Sequence, residues 1–324
     1  MSKKLTLAFL PLAGCGGCEY ATFQAFTEYP ELYDMFEIVY WPMVVERTEF
    51  PESVDIAIYE GVINTKGHLK AALDMRERAK IVISLGMCSS FSGVPGLASY
   101  FRIEEILKDL YKGVEFEDEW LKPLPAPISV PEIVPVDYII SHCPPIPAHI
   151  HYTLRAIYNG EEPKIAERTV CSECPLKMKT KLPEEWRERI GKDVNPNVCF
   201  LAQGLVCLGP VTASGCGARC PRAGIPCYGC AGPTRDILMR EGEDIPTKLA
   251  KQIAAYQGKD PLKEYPKVLE KLLKVYDPRR FYMFTLNSVF FKSKPFSMAM
   301  RTIMEGRSGG KKAFRLDIRK KAHR

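Results

Sequence analysis

Twelve cysteines in 324 residues are the part of this sequence best equipped for chemistry, and they fall into three sets of four. The first is dispersed: Cys15-x-x-Cys18, Cys88 and Cys143. The second is Cys171-x-x-Cys174 with Cys199 and Cys207. The third is Cys216, Cys220, Cys227 and Cys230, closing on another Cys-x-x-Cys. Paired Cys-x-x-Cys motifs supply thiolates to soft metals, either four to one tetrahedral zinc or one to each iron of a [4Fe–4S] cubane. Zinc ribbons place such pairs on short hairpins with polar, Lys-rich knuckles. The flanks here are Pro and Gly instead: Cys174-Pro175, Cys220-Pro221, Pro226-Cys227 and Gly229-Cys230-Ala231-Gly232-Pro233. Three [4Fe–4S] clusters are therefore the expected cofactors, with zinc the competing chemistry. Spacing alone leaves open which four of the last eight cysteines share a site.

The first set needs a scaffold that gathers distant residues. Leu5–Leu10, Phe36–Trp41, Val54–Tyr59, Ile81–Leu85 and Val136–Ile140 are short runs rich in Val, Ile and aromatics, apolar enough to be buried on both faces. Helical stretches at Thr65–Lys80 and Ile103–Tyr111 lie between them, and another at Ala148–Tyr158 follows the last. The alternation predicts an α/β domain, a flavodoxin-like doubly wound parallel sheet, over residues 1–160. Cys15 and Cys18, Cys88 and Cys143 each follow a predicted strand, and ligands of such sheets gather beyond the carboxyl ends of the strands. Gly14, Gly16, Gly17, Gly86 and Gly93 let backbone N–H groups approach a cluster, and Pro144-Pro145 restrains the approach of Cys143. Lys122–Pro135, with five prolines, reads as an irregular excursion.

Residues 171–233 carry eight cysteines, seven prolines and eight glycines without helical or strand periodicity, so metal clusters are expected to supply their order. An iron–sulfur domain over 161–295 ends in helices at Lys248–Tyr256 and Tyr265–Tyr276 and an aromatic stretch from Phe281 to Phe291. A basic C-terminal tail over 296–324 completes the chain.

Composition bounds the compartment and the partners. Apolar residues at 46% and charged residues at 26% are an ordinary globular balance. The longest apolar runs, such as Leu5–Ala13, fall short of the roughly 20 residues that span a bilayer, so no transmembrane segment is expected. The start, Met1-Ser2-Lys3-Lys4, leads to Pro11 and a Gly/Cys turn rather than a cleavage site, which places the chain in the cytoplasm and argues against disulfides. The formal charge is +6 with thiols counted neutral. Each loaded cubane with four thiolates adds about −2, so three cancel the excess and no nucleic-acid partner is inferred.

The motifs resemble a known family. Cys15-Gly16-Gly17-Cys18, Gly86-x-Cys88 followed by Gly93-x-Pro95-Gly96, and His142-Cys143-Pro144-Pro145 are similar to the proximal-cluster half of [NiFe]-hydrogenase small subunits. The stretch from Gln203 to Thr212, Cys216-Gly217-Ala218-Arg219-Cys220-Pro221 and Ile225–Pro233 resembles the cytoplasmic branch, in particular the small subunit of F420-non-reducing (methyl viologen-reducing) hydrogenases. Phe281–Leu286 looks like that family's C-terminal region. The resemblance spans residues 5 to about 290 and implies an electron-transfer subunit with three [4Fe–4S] clusters. It maps the proximal cluster onto Cys15, Cys18, Cys88 and Cys143. The distal cluster falls on Cys171, Cys174, Cys199 and Cys207, and the medial cluster on Cys216, Cys220, Cys227 and Cys230. It implies two partners: a large subunit holding nickel, and an electron-acceptor subunit, flavin or iron–sulfur, with heterodisulfide reductase associated with this branch. Periplasmic members have histidine where Cys171 stands and proline near Cys220; cysteine at both positions implies three cubanes. The cluster-bearing subunit of respiratory complex I shares the first half of this pattern but uses two adjacent cysteines, which are absent here. Neither nickel motif of the large subunits, Arg-x-Cys-x-x-Cys or Asp-Pro-Cys-x-x-Cys, occurs in this sequence.

Other residues have two readings each. Glu19 follows Cys18 and is either a proton relay, the one catalytic candidate in the chain, or an acid favoured by a helix start. Glu60 is a cluster-loop or large-subunit contact, or a hydrogen-bonded turn residue. His142 reads as packing beside Cys143, because the four-cysteine set is complete without it. The Phe281–Phe291 aromatics face either the large subunit or the core. The basic tail is a solvated end or docks on an acidic partner. A stand-alone polyferredoxin-type electron carrier is the alternative function, and a zinc-stabilised interaction module a third.

Overall fold

A computed structural model describes residues 3–112, 116–164, 168–178, 181–187, 190–191, 193–239 and 243–288 of the chain. Among these are seven strands: β1 (Leu5–Pro11), β2 (Phe36–Tyr40), β3 (Val54–Glu60), β4 (Ile63–Thr65), β5 (Ala79–Leu85), β6 (Pro123–Ile128) and β7 (Tyr138–Ile140). Five of them pair in parallel in the order β2-β1-β3-β5-β7. Counted along the chain as the first to fifth parallel strands, this is 2-1-3-4-5, the flavodoxin-like order. Leu7 pairs with Ile56, Phe9 with Ile58 and Ile58 with Ile83. The two-residue period of a strand then sends Leu7, Phe9, Ile56, Ile58 and Ile83 into one core and Ala8, Leu10, Ala57, Tyr59 and Val82 into another.

Helices α1 (Gly17–Glu28), α2 (Leu32–Met35), α3 (Lys66–Arg78), α4 (Gly86–Phe91), α5 (Ile103–Tyr111) and α6 (Pro147–Tyr158) complete this part. Ala21, Ala25 and Phe26 of α1 join Ile150 and Leu154 of α6 in the first core, while Ala72 and Met75 of α3 join the second. The start of α3 is fixed by Thr65, whose Oγ1 accepts the His68 amide at 3.1 Å.

Among the boundaries that differ from the sequence reading, three have a local cause. The proline-rich excursion contains β6, which pairs antiparallel with β4 through Ile63–Ile128 and Thr65–Pro123. Pro123, Pro125 and Pro127 alternate, so a strand at a sheet edge can turn every missing donor to the same side. β7 starts at Tyr138 rather than Val136. Asp137 meets Val82 instead through its carboxylate, which accepts the Val82 amide at 2.8 Å, and through its own N–H to the Val82 carbonyl at 2.9 Å. The first C-terminal helix starts earlier than expected because Asp244 caps it, accepting the Thr247 amide at 3.0 Å.

Beyond residue 168 the described chain to residue 233 has 3-10 turns and the single short helix α7 (Arg219–Arg222). It packs on α8 (Arg235–Met239), α9 (Ile245–Tyr256), α10 (Pro261–Val275) and α11 (Pro278–Phe281). Phe200, Leu201, Leu205, Leu208 and Val211 form a third core with Leu249, Ile253, Leu269, Leu272 and Tyr282. An apolar core thus contributes order to the segment for which metal alone was expected to do so. Phe281, Tyr282 and Thr285 are buried, whereas Phe290, Phe291 and the basic tail lie outside the described residues. Among the described residues no helix is long and apolar enough to cross a membrane.

Candidate metal centres

The carboxyl ends of β1, β5 and β7 deliver the dispersed cysteines to one place. Cys15 follows β1, Cys18 lies in the first turn of α1, Cys88 in α4 directly after β5, and Cys143 just after β7. Their proximity is read from their mutual electrostatics. Burial holds the Cys18 thiol far above the ordinary thiol range, and Glu60, Cys88, Cys143 and Cys15 push in the same direction. Cys88 is pushed up to about 12 by burial, then by Cys143, Glu60 and Cys15, against a hydrogen bond from the Val94 backbone. Cys143 is raised by burial and by Cys15. Thiols whose ionised forms repel one another in this way suit a cationic centre, which would invert the local charge preference and favour the thiolates. The backbone makes room for the sulfurs: Gly86, at φ 80°, lies so close to Cys18 Sγ that a side chain there would collide with it.

Two carboxylates flank this group. Glu60 ends β3 and is 3% exposed; burial first and Glu19 second push its carboxyl up to about 7. Its oxygens fill the space beside the Cα of Gly14. Glu19 is in the first turn of α1, buried, and its Oε1 accepts the Trp41 indole N–H at 2.7 Å. His142 is buried in a left-handed conformation at φ 89°, ahead of the cis Cys143–Pro144 bond. Burial, and then His149 at a ring-centroid distance of 5.2 Å, bring its pKa down to about 4.

Of the remaining eight cysteines, Cys207 and Cys227 enter the third core and Cys174, Cys199 and Cys216 pack against it. Cys171 is exposed as a residue, but its thiol turns inward and is pushed up to about 12 by burial and by Cys199, Cys174 and Cys227. Cys207 reaches about 12 through burial, with the Gly209 and Cys227 amides pulling down and Cys171 and Cys199 pushing up. Cys230 is pushed up to about 11 by burial, Cys220, Cys216 and Cys143. Cys227 is raised by burial and Cys207, with Cys230 a lesser contributor, and Cys220 by burial and Cys216. Most of these neighbours lie within the sets of four read from the sequence. The links between sets all run through Cys227 and Cys230. The Cys227 amide donates to Cys207 Sγ at 3.2 Å, and the Cys143 amide faces the Cys230 sulfur. Cys230 and Cys227 therefore connect the dispersed set to the set containing Cys171.

Among the described residues no three or more His, Cys, Asp or Glu side chains are placed to hold a single metal ion. Sequence reasoning did not single out Trp41, His149 or Glu173. Of these only Glu173 carried a signal, its place inside Cys171-x-x-Cys174.

Known proteins are similar to this chain. The family described as NADH ubiquinone oxidoreductase, 20 Kd subunit, matches residues 15–157. The chain is 35% identical over 265 residues to a vhu-type F420-non-reducing hydrogenase subunit of Methanocaldococcus jannaschii, covering 75% of this chain and 92% of that protein. It is 30% identical over 233 residues to sulfhydrogenase 2 subunit delta of Pyrococcus furiosus, covering 72% and 88%. A solved NAD+-reducing [NiFe]-hydrogenase chain in the H2-reduced state superposes with a TM-score of 0.46 at 26% identity, over 50% of this chain and 95% of that one.

Proposed function

Because this chain belongs to the small-subunit family of [NiFe] hydrogenases, we propose that it relays electrons between a nickel–iron large subunit and an acceptor subunit through three [4Fe–4S] clusters. It is part of an enzyme complex that oxidises H2. When bound, such clusters carry single electrons at potentials set by hydrogen bonds and burial. Cys15, Cys18, Cys88 and Cys143 would hold the proximal cluster. Cys216, Cys220, Cys227 and Cys230 would hold the medial one, and Cys171, Cys174, Cys199 and Cys207 the distal one.

The observation that carries this reading is the pair of links between sets, Cys143 with Cys230 and Cys227 with Cys207, since a relay needs each group to adjoin the next. The donor set also fits the cofactor, because each thiolate of a cubane takes its own iron while a zinc site needs all four around one ion. In this reading the α/β unit ends near residue 160 and presents the proximal end to the large subunit. Tyr20 and Met43, 69% and 76% exposed beside α1 and β2, supply apolar surface for that contact. Membership of the small-subunit family favours a heteromeric hydrogenase over the stand-alone polyferredoxin. The acceptor, a flavin or iron–sulfur subunit, docks at the Cys171–Cys174 end, and the assembly works in the cytoplasm. A proton relay beside the proximal site belongs to Glu19 and Glu60 together, because Trp41 anchors the first and the first raises the second.

Iron, acid-labile sulfide, nickel and zinc, measured on anaerobically purified native complex, test the proposal. About twelve iron and twelve sulfide per copy of this chain, above any iron in its partners, with one nickel in a companion subunit, are expected. Twelve iron with no nickel-bearing companion selects the polyferredoxin, and zinc in place of iron rejects both.

A further inference from the structure

We infer that Glu173 is a positioning residue for the medial site, although it stands between two distal ligands. The inference rests on the three-cluster reading and deepens it.

Glu173 lies inside Cys171-x-x-Cys174, yet its carboxylate is turned away to the loop of the third set. Its Oε1 accepts the Gly215 amide at 2.8 Å and its Oε2 the Gly217 amide at 2.9 Å. These are the amides on either side of Cys216. Gly215, Gly217 and Ala218 all have positive φ, at 115°, 64° and 53°. A backbone wound this way turns its N–H groups into a concave anion site, here filled by a carboxylate of the same chain. Arg222 closes the arrangement, donating from Nε to the Gly217 carbonyl at 2.7 Å and from its guanidinium to the Glu173 carbonyl at 3.4 Å. On the opposite side His149 of α6 approaches Gly215 so closely that no side chain fits there.

The Cys216 loop is thus gripped by Glu173 from one side and by the α/β unit from the other. Its conformation is costly by itself, since a non-glycine residue in the left-handed region stores strain that the surroundings must offset. Removing the carboxylate strips two amides of their acceptor and frees the loop to relax, which withdraws Cys216 from its three partners. A residue serving only its own motif would affect Cys171 and Cys174 instead. The two roles therefore separate by which cluster responds.

The test uses the complete hydrogenase complex carrying Glu173→Ala or Glu173→Gln, with Cys216→Ser and Cys199→Ser as controls. Those controls identify the medial and distal EPR signals of the reduced clusters. Glu173→Ala is expected to lose the Cys216-dependent signal and about four of about twelve irons, while the Cys199-dependent signal persists. Glu173→Gln keeps one acceptor oxygen, so it retains the iron and shifts the reduction potential of the Cys216-dependent signal alone. Hydrogen exchange on the wild-type complex adds a readout that no misfolded variant can blur: the Gly215 and Gly217 amides exchange slowly. A change confined to the Cys199-dependent signal, wild-type spectra and potentials in both variants, or rapid exchange at both amides overturns the assignment. A wild-type complex with fewer than about twelve irons per copy of this chain, above those of its partners, overturns the three-cluster reading itself, independently of Glu173.

Discussion

Glu60 and Gly14 meet at the switch between β1 and β3, where the carboxylate of one takes the volume that any side chain on the other would need. Gly14→Ala must displace a buried carboxylate and is expected to cost about 1–3 kcal/mol, as overpacking of a well-filled site does. For a chain of this size that lowers Tm by roughly 1–2 °C per kcal/mol. Calorimetry of Gly14→Ala, Glu60→Ala and the double variant checks it. The double variant should be less destabilised than the sum of the two, because the collision is removed once the carboxylate is gone.

Trp41→Phe keeps the aromatic packing against Phe9, whose ring lies 4.8 Å from that of Trp41, but removes the indole N–H that Glu19 accepts. A buried acceptor left without its partner costs about 1–3 kcal/mol. Thermal melts should therefore place Trp41→Phe well below wild type. Glu19→Gln, whose amide oxygen still accepts the indole N–H, should lie close to it.

The link from the Cys227 amide to Cys207 Sγ makes Cys207 a neighbour of two groups at once. Cys207→Ser is expected to change two of the reduced-cluster EPR signals, and Cys174→Ser only one. Equal effects of the two substitutions would remove Cys207 from the junction.

His68 gives a pH dependence away from the metal centres. Burial lowers its pKa from the ordinary 6.5 while Nδ1 shares a 2.8 Å hydrogen bond with Asn64 Oδ1. Above about 6.5 the ring is neutral in both folded and unfolded chains, and its contribution to stability is complete. As pH falls below that value the unfolded chain takes up the proton first, so stability declines toward the lower folded pKa. Melting curves between pH 7.5 and 5.5 should show a steeper loss for wild type than for His68→Asn. Parallel slopes would mean that His68 titrates alike in both states.

Much of this was legible in the sequence because the signals were local. Val54–Tyr59 and Ile81–Leu85 announced strands through composition, and the placement of Cys15, Cys88 and Cys143 after strands announced their convergence. What escaped notice depended on pairing across the fold. Alternating prolines at 123, 125 and 127 read as loop until β4 provides a partner for the strand between them. The hold of Trp41 on Glu19 joins positions 22 residues apart, and that of Glu173 on Gly215 joins positions 42 apart, with no local pattern to mark either. The third core was hidden for a similar reason: Phe200, Leu205 and Leu208 show no period until α9 and α10 fold over them.

The order of the sheet also governs when the first group of cysteines can be complete. Cys15 and Cys18 adjoin β1, an inner strand, whereas Cys143 follows β7, the edge strand that docks on β5. A ribosome adding about 5–20 residues per second makes the first pair wait on the order of ten seconds for Cys143. Cys216 to Cys230, by contrast, are all within one short stretch of nascent chain. In the proposed reading, a scaffold delivering iron and sulfide would meet an early pair of thiols with no site to join, and the dispersed site would accept its cargo only after synthesis had passed the sheet's last strand.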